Sequence, residues 1–172
     1  TAFEQTVASA VATHGAGAHH CVVYLDIDQL HVTNENFGMH VGDEVILKVA
    51  DVVRRRSPVG TLCSRISGDR FAAFLPTKEL DEASRVAEDI RLGAAELSHV
   101  RPEGPLKVSV SAGVAELPRG SKQPLSHALA TAEIACKAAK DRGRDRVEAF
   151  VDSDLSIVRR HTDVHVVAQL RD

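Results

Sequence analysis

Apolar residues recur along the chain with two different periods, and the switches between them divide it into elements. Over 3–13, Phe3, Val7, Ala10 and Val11 fall at helical spacing, and the pattern stops near Gly15 and Gly17. The unbroken apolar run Cys21-Val-Val-Tyr-Leu25 reads as a strand over 21–27. A helical stretch over about 28–37 follows, then a longer helix over about 41–56 with Val45, Val49, Val52 and Val53 as its buried stripe. Two strand-forming runs, 60–66 and 71–75, flank a small polar tip, which predicts a β-hairpin. An amphipathic helix near 79–98 comes next. Over 106–115, Leu106, Val108, Val110, Ala112 and Val114 alternate with Lys107, Ser109 and Ser111, the pattern of a half-buried strand. An Ala-rich helix over 124–141 is closed by Gly143 as its C-terminal cap, and a short strand over 146–150 ends the body.

This order, β-α-α-β-β-α-β-α-β, predicts an α/β (α+β sandwich) fold: a mixed, mostly antiparallel sheet with a central hairpin and helices packed around it. Three segments are expected: a lead-in helix over 1–18, a compact domain over 19–150, and a tail over 151–172. The tail opens with capping-type residues and carries apolar positions 155, 158, 166, 167 and 170. It reads as a helix leaving the domain with an apolar stripe that wants a partner. His161 and His165 have zinc-compatible spacing but no third ligand.

With 172 residues, 44% hydrophobic and 26% charged, the chain is long enough to bury a core and too apolar to be disordered. A net charge of -3 gives no reason to expect nucleic acid. No apolar run approaches the roughly 20 residues of a membrane span, and no signal peptide is expected. Three widely spaced cysteines, Cys21, Cys63 and Cys136, read as reduced core residues of a cytoplasmic protein.

The hairpin tip reads Arg65-Ile-Ser-Gly-Asp-Arg-Phe71 and holds out one carboxylate, Asp69. A second acidic pair, Asp26 and Asp28, ends the first strand. Carboxylates from two strand ends are what a divalent cation and a triphosphate require. Each of Asp26 and Asp28 also has a plainer reading, as a cap of the following helix, and Asp28 equally reads as a structural hydrogen bonder. A phosphorylated receiver domain does not fit, because no later strand-end Asp and Lys complete its pocket.

At these residues the chain resembles a known family. Asp26-Ile-Asp-Gln-Leu-His-Val-Thr-Asn-Glu35, with Phe37-Gly38 and Gly42-Asp-Glu44, is similar to the first nucleotide-binding motif of GGDEF domains, the diguanylate cyclases. Ser67-Gly-Asp-Arg-Phe71 stands where the family carries Gly-Gly-Asp/Glu-Glu-Phe. Ser109-Val-Ser-Ala-Gly-Val114 resembles its late strand, and Ala132 to Lys140 with Gly143-Arg144 its final helix and phosphate-binding end. The likeness spans about 19–150.

The resemblance implies a fold like the palm of nucleotidyl cyclases and polymerases. It implies GTP, two Mg²⁺ ions, and cyclic di-GMP formed by two such domains facing each other, hence a homodimer. Asp26, the Ile27 carbonyl and Asp69 would hold metal, with Asp69 also catalytic. Asn34 and Asp43 would read guanine, because a carboxylate can accept from both N1–H and the exocyclic amine. Lys140 and Arg144 would contact phosphates, although cations also suit a helix C-terminus for its own sake. The tail from Asp152 resembles the connection to an EAL phosphodiesterase domain.

The departures from the family lie at the chemistry. Arg70 replaces a glutamate used for metal binding and catalysis; at about 6 Å and an effective dielectric of about 20, a unit charge beside Mg²⁺ is worth about 5 kcal/mol. His31 replaces a lysine near the reacting phosphates, Ser67 a glycine, and Lys137 a tyrosine. Pro58-Val-Gly-Thr61 occupy the place of the family's Arg-x-x-Asp inhibitory site. The expectation is a domain that binds GTP, turns it over poorly, and regulates a downstream EAL neighbour. The rivals are an active cyclase and a ligand-free dimerisation module.

Overall fold

A computed structural model describes residues 2–15, 17–151 and 165–168. In chain order the elements are α1 (Ala2–His14), β1 (His20–Ile27), α2 (Leu30–Phe37), α3 (Met39–Arg56), β2 (Leu62–Ser67) and β3 (Arg70–Pro76). They continue with α4 (Leu80–Ala95), β4 (His99–Arg101), β5 (Gly104–Leu106), β6 (Val110–Glu116), α5 (Pro124–Asp141), β7 (Arg146–Val151) and β8 (His165–Ala168). Six strands form one sheet in the order β2-β3-β1-β6-β7-β8, and β4 pairs with β5 in a separate hairpin. The β2, β3, β1 and β6 neighbours are antiparallel, whereas β6-β7 and β7-β8 are parallel. The expected mixed sheet surrounded by helices is what the chain forms.

Helices cover both faces of the sheet, which explains why β1 is apolar without alternation: all eight of its residues are buried. On one face Cys21, Val23, Leu25 and Ile27 pack with the valine stripe of α3 and with Ala83, Ala87, Ile90 and Ala94 of α4. On the other, Val22 and Tyr24 meet Val7 of α1 and Ala128, Ala132 and Cys136 of α5. A capping box of Glu79 and Glu82 starts α4. Arg56 at the end of α3 bonds Asp89 (2.9 Å) and Glu96 (3.0 Å), tying α3 to α4. Pro124 begins α5, where its missing N–H costs nothing. The small face of α5 lies directly on Gly113 of β6, with no room for a side chain between them.

Four local expectations are corrected. The strand expected over 106–115 starts at Val110, and Leu106 belongs to the β4–β5 hairpin. Its polar face is not solvated: Ser109 and Ser111 are buried because α5 and the end of β1 cover them. Cys63 is exposed, not a core residue, since β2 is an edge strand; Cys21 and Cys136 are buried. The tail is not helical where it is described. Val151 closes β7, and His165–Ala168 adds a parallel strand beside it, pairing Glu148 with His165 and Val151 with Ala168. An unpaired sheet edge presents a row of open N–H and C=O groups, a ready template for a further strand. Residues 152–164 and 169–172, including His161, lie outside the described residues.

Candidate functional site

Antiparallel pairing about β1 brings the chain's polar ends to one end of the sheet. The C-terminal end of β1, the β2–β3 turn at Gly68 and Asp69, the start of β6, the last turn of α5 and the start of α2 all meet there. Asp26 is registered between Arg70 on β3 and Ser111 on β6. The Ile27 N–H donates to the Asp69 carbonyl (2.9 Å), which pins the hairpin turn to the end of β1. The acidic strand end and the hairpin tip are thus joined through the backbone.

Asp26 is the most buried acid of this end, its side chain 4% exposed. Lys140 from α5 donates to its Oδ2, and Arg70 Nε stands 3.6 Å from the same oxygen. That distance makes Arg70 an ion-pair partner but not a hydrogen-bond donor to Asp26. Arg70 Nη1 reaches the Tyr24 hydroxyl at 3.4 Å, and its side chain remains 45% exposed. Burial pushes the Asp26 carboxyl above the usual range, opposed by the hydrogen bond and charge of Lys140. Burial works against the Lys140 charge too, but Asp26 outweighs it and holds the ammonium above its ordinary range. Lys140 is therefore a fixed cation at neutral pH. Burial likewise pushes the Cys136 thiol up to about 12, so it is no nucleophile.

Tyr24, Asp26, Arg70, Glu133, Cys136, Lys137 and Lys140 line a cavity of about 420 Å³ between the sheet and α5. Tyr24 and Glu133 were not foreseen. The first was readable in principle, because residues two apart on a strand share a face and Tyr24 stands two before Asp26.

Asp28 is not a cap. Its carboxylate accepts from Ser109 Oγ (2.7 Å), Ser111 Oγ (2.6 Å) and the Asp145 N–H (3.1 Å), and so joins β1, β6 and the loop after α5. Gln29 occupies the N-cap position of α2 in a left-handed conformation without a side-chain cap. A second cavity, about 290 Å³, opens beside it and is lined by Asp28, Asn36, Lys107 and Arg144.

Lys140 and Arg144, read together as phosphate contacts, line different cavities. A four-residue spacing shares a face only while the helix continues, and α5 ends at Asp141. Gly143 (φ +119°) and Arg144 (φ +64°) then turn the chain away. Asn34 and Asp43 stand on the neighbouring helices α2 and α3. Asp43 is exposed and within α3, so it does not serve as a cap. Asn34 Oδ1 is buried with no hydrogen-bond partner and lies against Gly42, where an added Cβ would come within 1.7 Å of it. That leaves the Nδ2 hydrogens as what Asn34 can offer outward. His31 is exposed on the first turn of α2. Among the described residues, no three or more His, Cys, Asp or Glu side chains are grouped to hold a metal ion. No helix there is long and apolar enough to cross a membrane.

Residues 1–146 match the family model described as "Diguanylate cyclase, GGDEF domain". The chain is 34% identical over 153 residues to the uncharacterised protein YhcK of Bacillus subtilis (strain 168), covering 84% of this chain and 41% of YhcK. It is 31% identical over 146 residues to the probable diguanylate cyclase DgcT of Escherichia coli (strain K12), covering 84% of this chain and 31% of DgcT. The chain thus spans less than half the length of these curated relatives. Its fold is similar to the crystal structure of the GGDEF domain of DgcB from Caulobacter crescentus in complex with c-di-GMP. The TM-score is 0.75 at 28% identity, over 86% of this chain and 85% of that one. The ordered strand ends, the hairpin carrying Ser67-Gly-Asp-Arg-Phe71 and the family match together place this chain in the GGDEF family of diguanylate cyclase domains.

Proposed function

We propose that this domain binds GTP at the β1–hairpin end, makes little or no cyclic di-GMP, and serves as a regulatory module in cyclic di-GMP signalling, with a downstream EAL phosphodiesterase as its target. One observation carries the impaired turnover. The buried carboxylate of Asp26 is already shared between Lys140 and Arg70, and Arg70 stands where the family resemblance implies a glutamate. A two-Mg²⁺ centre needs several anionic oxygens to neutralise it. The metal ligands that the resemblance implies thereby shrink to Asp26, the Ile27 carbonyl and Asp69, and the first of these is already paired with two cations. That reduced set lacks the charge to stabilise both the attacking and leaving oxygens of the condensation.

Guanine selection falls to Asn34 and Asp43. Asp43 accepts from the base N1–H and amine, and the Asn34 amide donates to a ring acceptor. Lys140 supplies the phosphate contact nearest Asp26, and Arg144 a more distant one. His31, exposed on the first turn of α2, stands where the resemblance implies a lysine at the phosphates and has a shorter reach.

Calorimetric titration of GTP, with product analysis by chromatography on the same samples, tests the reading. The expected result is saturable binding with no cyclic di-GMP. Absence of GTP binding would remove the regulatory role. Clear cyclic di-GMP, abolished by Asp69→Ala, would favour the second reading, an active cyclase, which the likeness to DgcT and to the DgcB domain supports.

A further inference from the structure

We propose that Arg70 takes the place of the divalent cation, so that this site holds the triphosphate of a guanine nucleotide without any metal. The inference rests on the nucleotide-binding reading above and names how that binding is regulated: by protein cations, not by magnesium.

The donor set is wrong for a metal and right for a phosphate. Asp26 is engaged by two cations, and among the described residues no three or more His, Cys, Asp or Glu side chains form a ligand cluster around it. The charged side chains lining the 420 Å³ cavity are Asp26 and Glu133 against Arg70, Lys137 and Lys140, two negative and three positive. Lys137 is already paired with Asp141 (3.5 Å), so the cations that face Asp26 are Arg70 and Lys140, and an anionic phosphate arriving there meets attraction from both.

The grip on Asp26 is also unequal. Lys140 hydrogen-bonds it, whereas Arg70 is held only by a 3.6 Å ion pair and the 3.4 Å contact to Tyr24. Arg70 can therefore swing onto a phosphate and leave Asp26 still compensated by Lys140. Its Nη2 has no hydrogen-bond partner among the described residues, and the guanidinium fork matches two phosphate oxygens at once. The backbone fixes where that fork can reach, because Arg70 pairs with Asp26 at the end of β1, one residue from the hairpin turn. Family members with a carboxylate at this position need a cation to join it to the phosphate; an arginine makes that joint itself.

The test is calorimetric titration of GTP into the whole chain, once in magnesium and once in excess EDTA, for the native protein, Arg70→Ala and Arg70→Glu. Native affinity is expected to agree within about twofold between the two buffers, far less than the tenfold that a lost ionic contact produces. Arg70→Ala should weaken binding about tenfold or more in both buffers. Arg70→Glu should abolish binding in EDTA and recover part of it in magnesium. Arg70 is largely solvent-facing, so all variants are expected to fold, and a thermal melt of each confirms it. Binding in magnesium that disappears in EDTA overturns this inference and leaves the nucleotide reading standing. Equal binding in both buffers that Arg70→Ala does not change overturns the role of Arg70. No binding in either buffer overturns both.

Discussion

Gly113 is the point at which α5 touches the sheet, and replacing it with alanine probes whether that contact supports the site. A Cβ at Gly113 would stand 2.0 Å from the Ala132 carbonyl oxygen, 2.4 Å from the Cys136 amide nitrogen and 2.9 Å from the Ala135 carbonyl carbon. Ordinary contact begins at 3.4 Å, so α5 must lift by about 1.4 Å to admit one methyl group. All three obstacles are backbone, and none can rotate away as a flexible side chain would. Ala128, Ala132, Ala135, Cys136 and Ala139 are all 2% exposed or less on that face, and lifting the helix opens a gap under each of them. A gap of this size is too narrow for water yet forfeits roughly half of the local dispersion attraction. Overpacked cores lose about 1–3 kcal/mol, and a helix pushed off by its own backbone belongs at the top of that range, about 3 kcal/mol. Urea unfolding followed by circular dichroism measures it, with Gly68→Ala as control, where an added Cβ meets nothing within 4 Å. Lys140 rides on the last turn of the displaced helix, so GTP affinity should fall together with stability. A stability loss under about 1 kcal/mol for Gly113→Ala would refute the packing argument.

Three further outcomes are expected. Gly42→Ala gains about 1 kcal/mol of helix propensity but drives Asn34 Oδ1 from its place 1.7 Å away, so the melt should change little while GTP binding weakens about tenfold; unaltered affinity would take Asn34 out of the site. Lys140→Met strands the buried Asp26 carboxylate beside Arg70 alone and should cost about 3 kcal/mol, most of it restored by adding Asp26→Asn; additivity of the two changes would show that they do not interact. His20 is 4% exposed, its Nδ1 accepts from the Thr77 N–H at 3.1 Å, and burial, then the charges of His14 and His19, lower its pKa. The folded state thus prefers neutral His20. Its contribution is complete above the unfolded value of 6.5 and is lost as pH falls from there through the lowered folded value. The unfolding free energy from urea titration should fall below that pH by at most about 1.4 kcal/mol per pH unit, and His20→Asn should flatten the decline; an unchanged slope in the variant would assign it elsewhere.

Much of the fold was legible because local pattern and tertiary role agree. The valine stripe of α3, the unbroken apolar β1 and the small polar hairpin tip each state their own structure within a few residues. The parts that were not legible depend on what covers them. Ser109 and Ser111 look like a solvated strand face until Asp28 and α5 close over them. The tail reads as an amphipathic helix until an open sheet edge offers His165–Ala168 a partner. Within the site, the acids of the strand end and hairpin were visible in the linear pattern, and the resemblance to the family marked Arg70 as foreign. The shared grip of Lys140 and Arg70 on Asp26 was not, because it joins residues 114 apart in sequence.

By itself, then, the order of residues determined most of the elements, through short-range periodicity and turn chemistry, and its motifs carried the resemblance to the family and the chemical types gathered at one end of the sheet. Only the folded chain decided which charges meet. Sheet register puts Arg70 beside Asp26, the missing side chain at Gly113 lets α5 bring Lys140 to the same oxygen, and the left-handed turn after α5 sends Arg144 elsewhere. Electrostatics depends on distance through space, and distance through space is what a linear pattern leaves open.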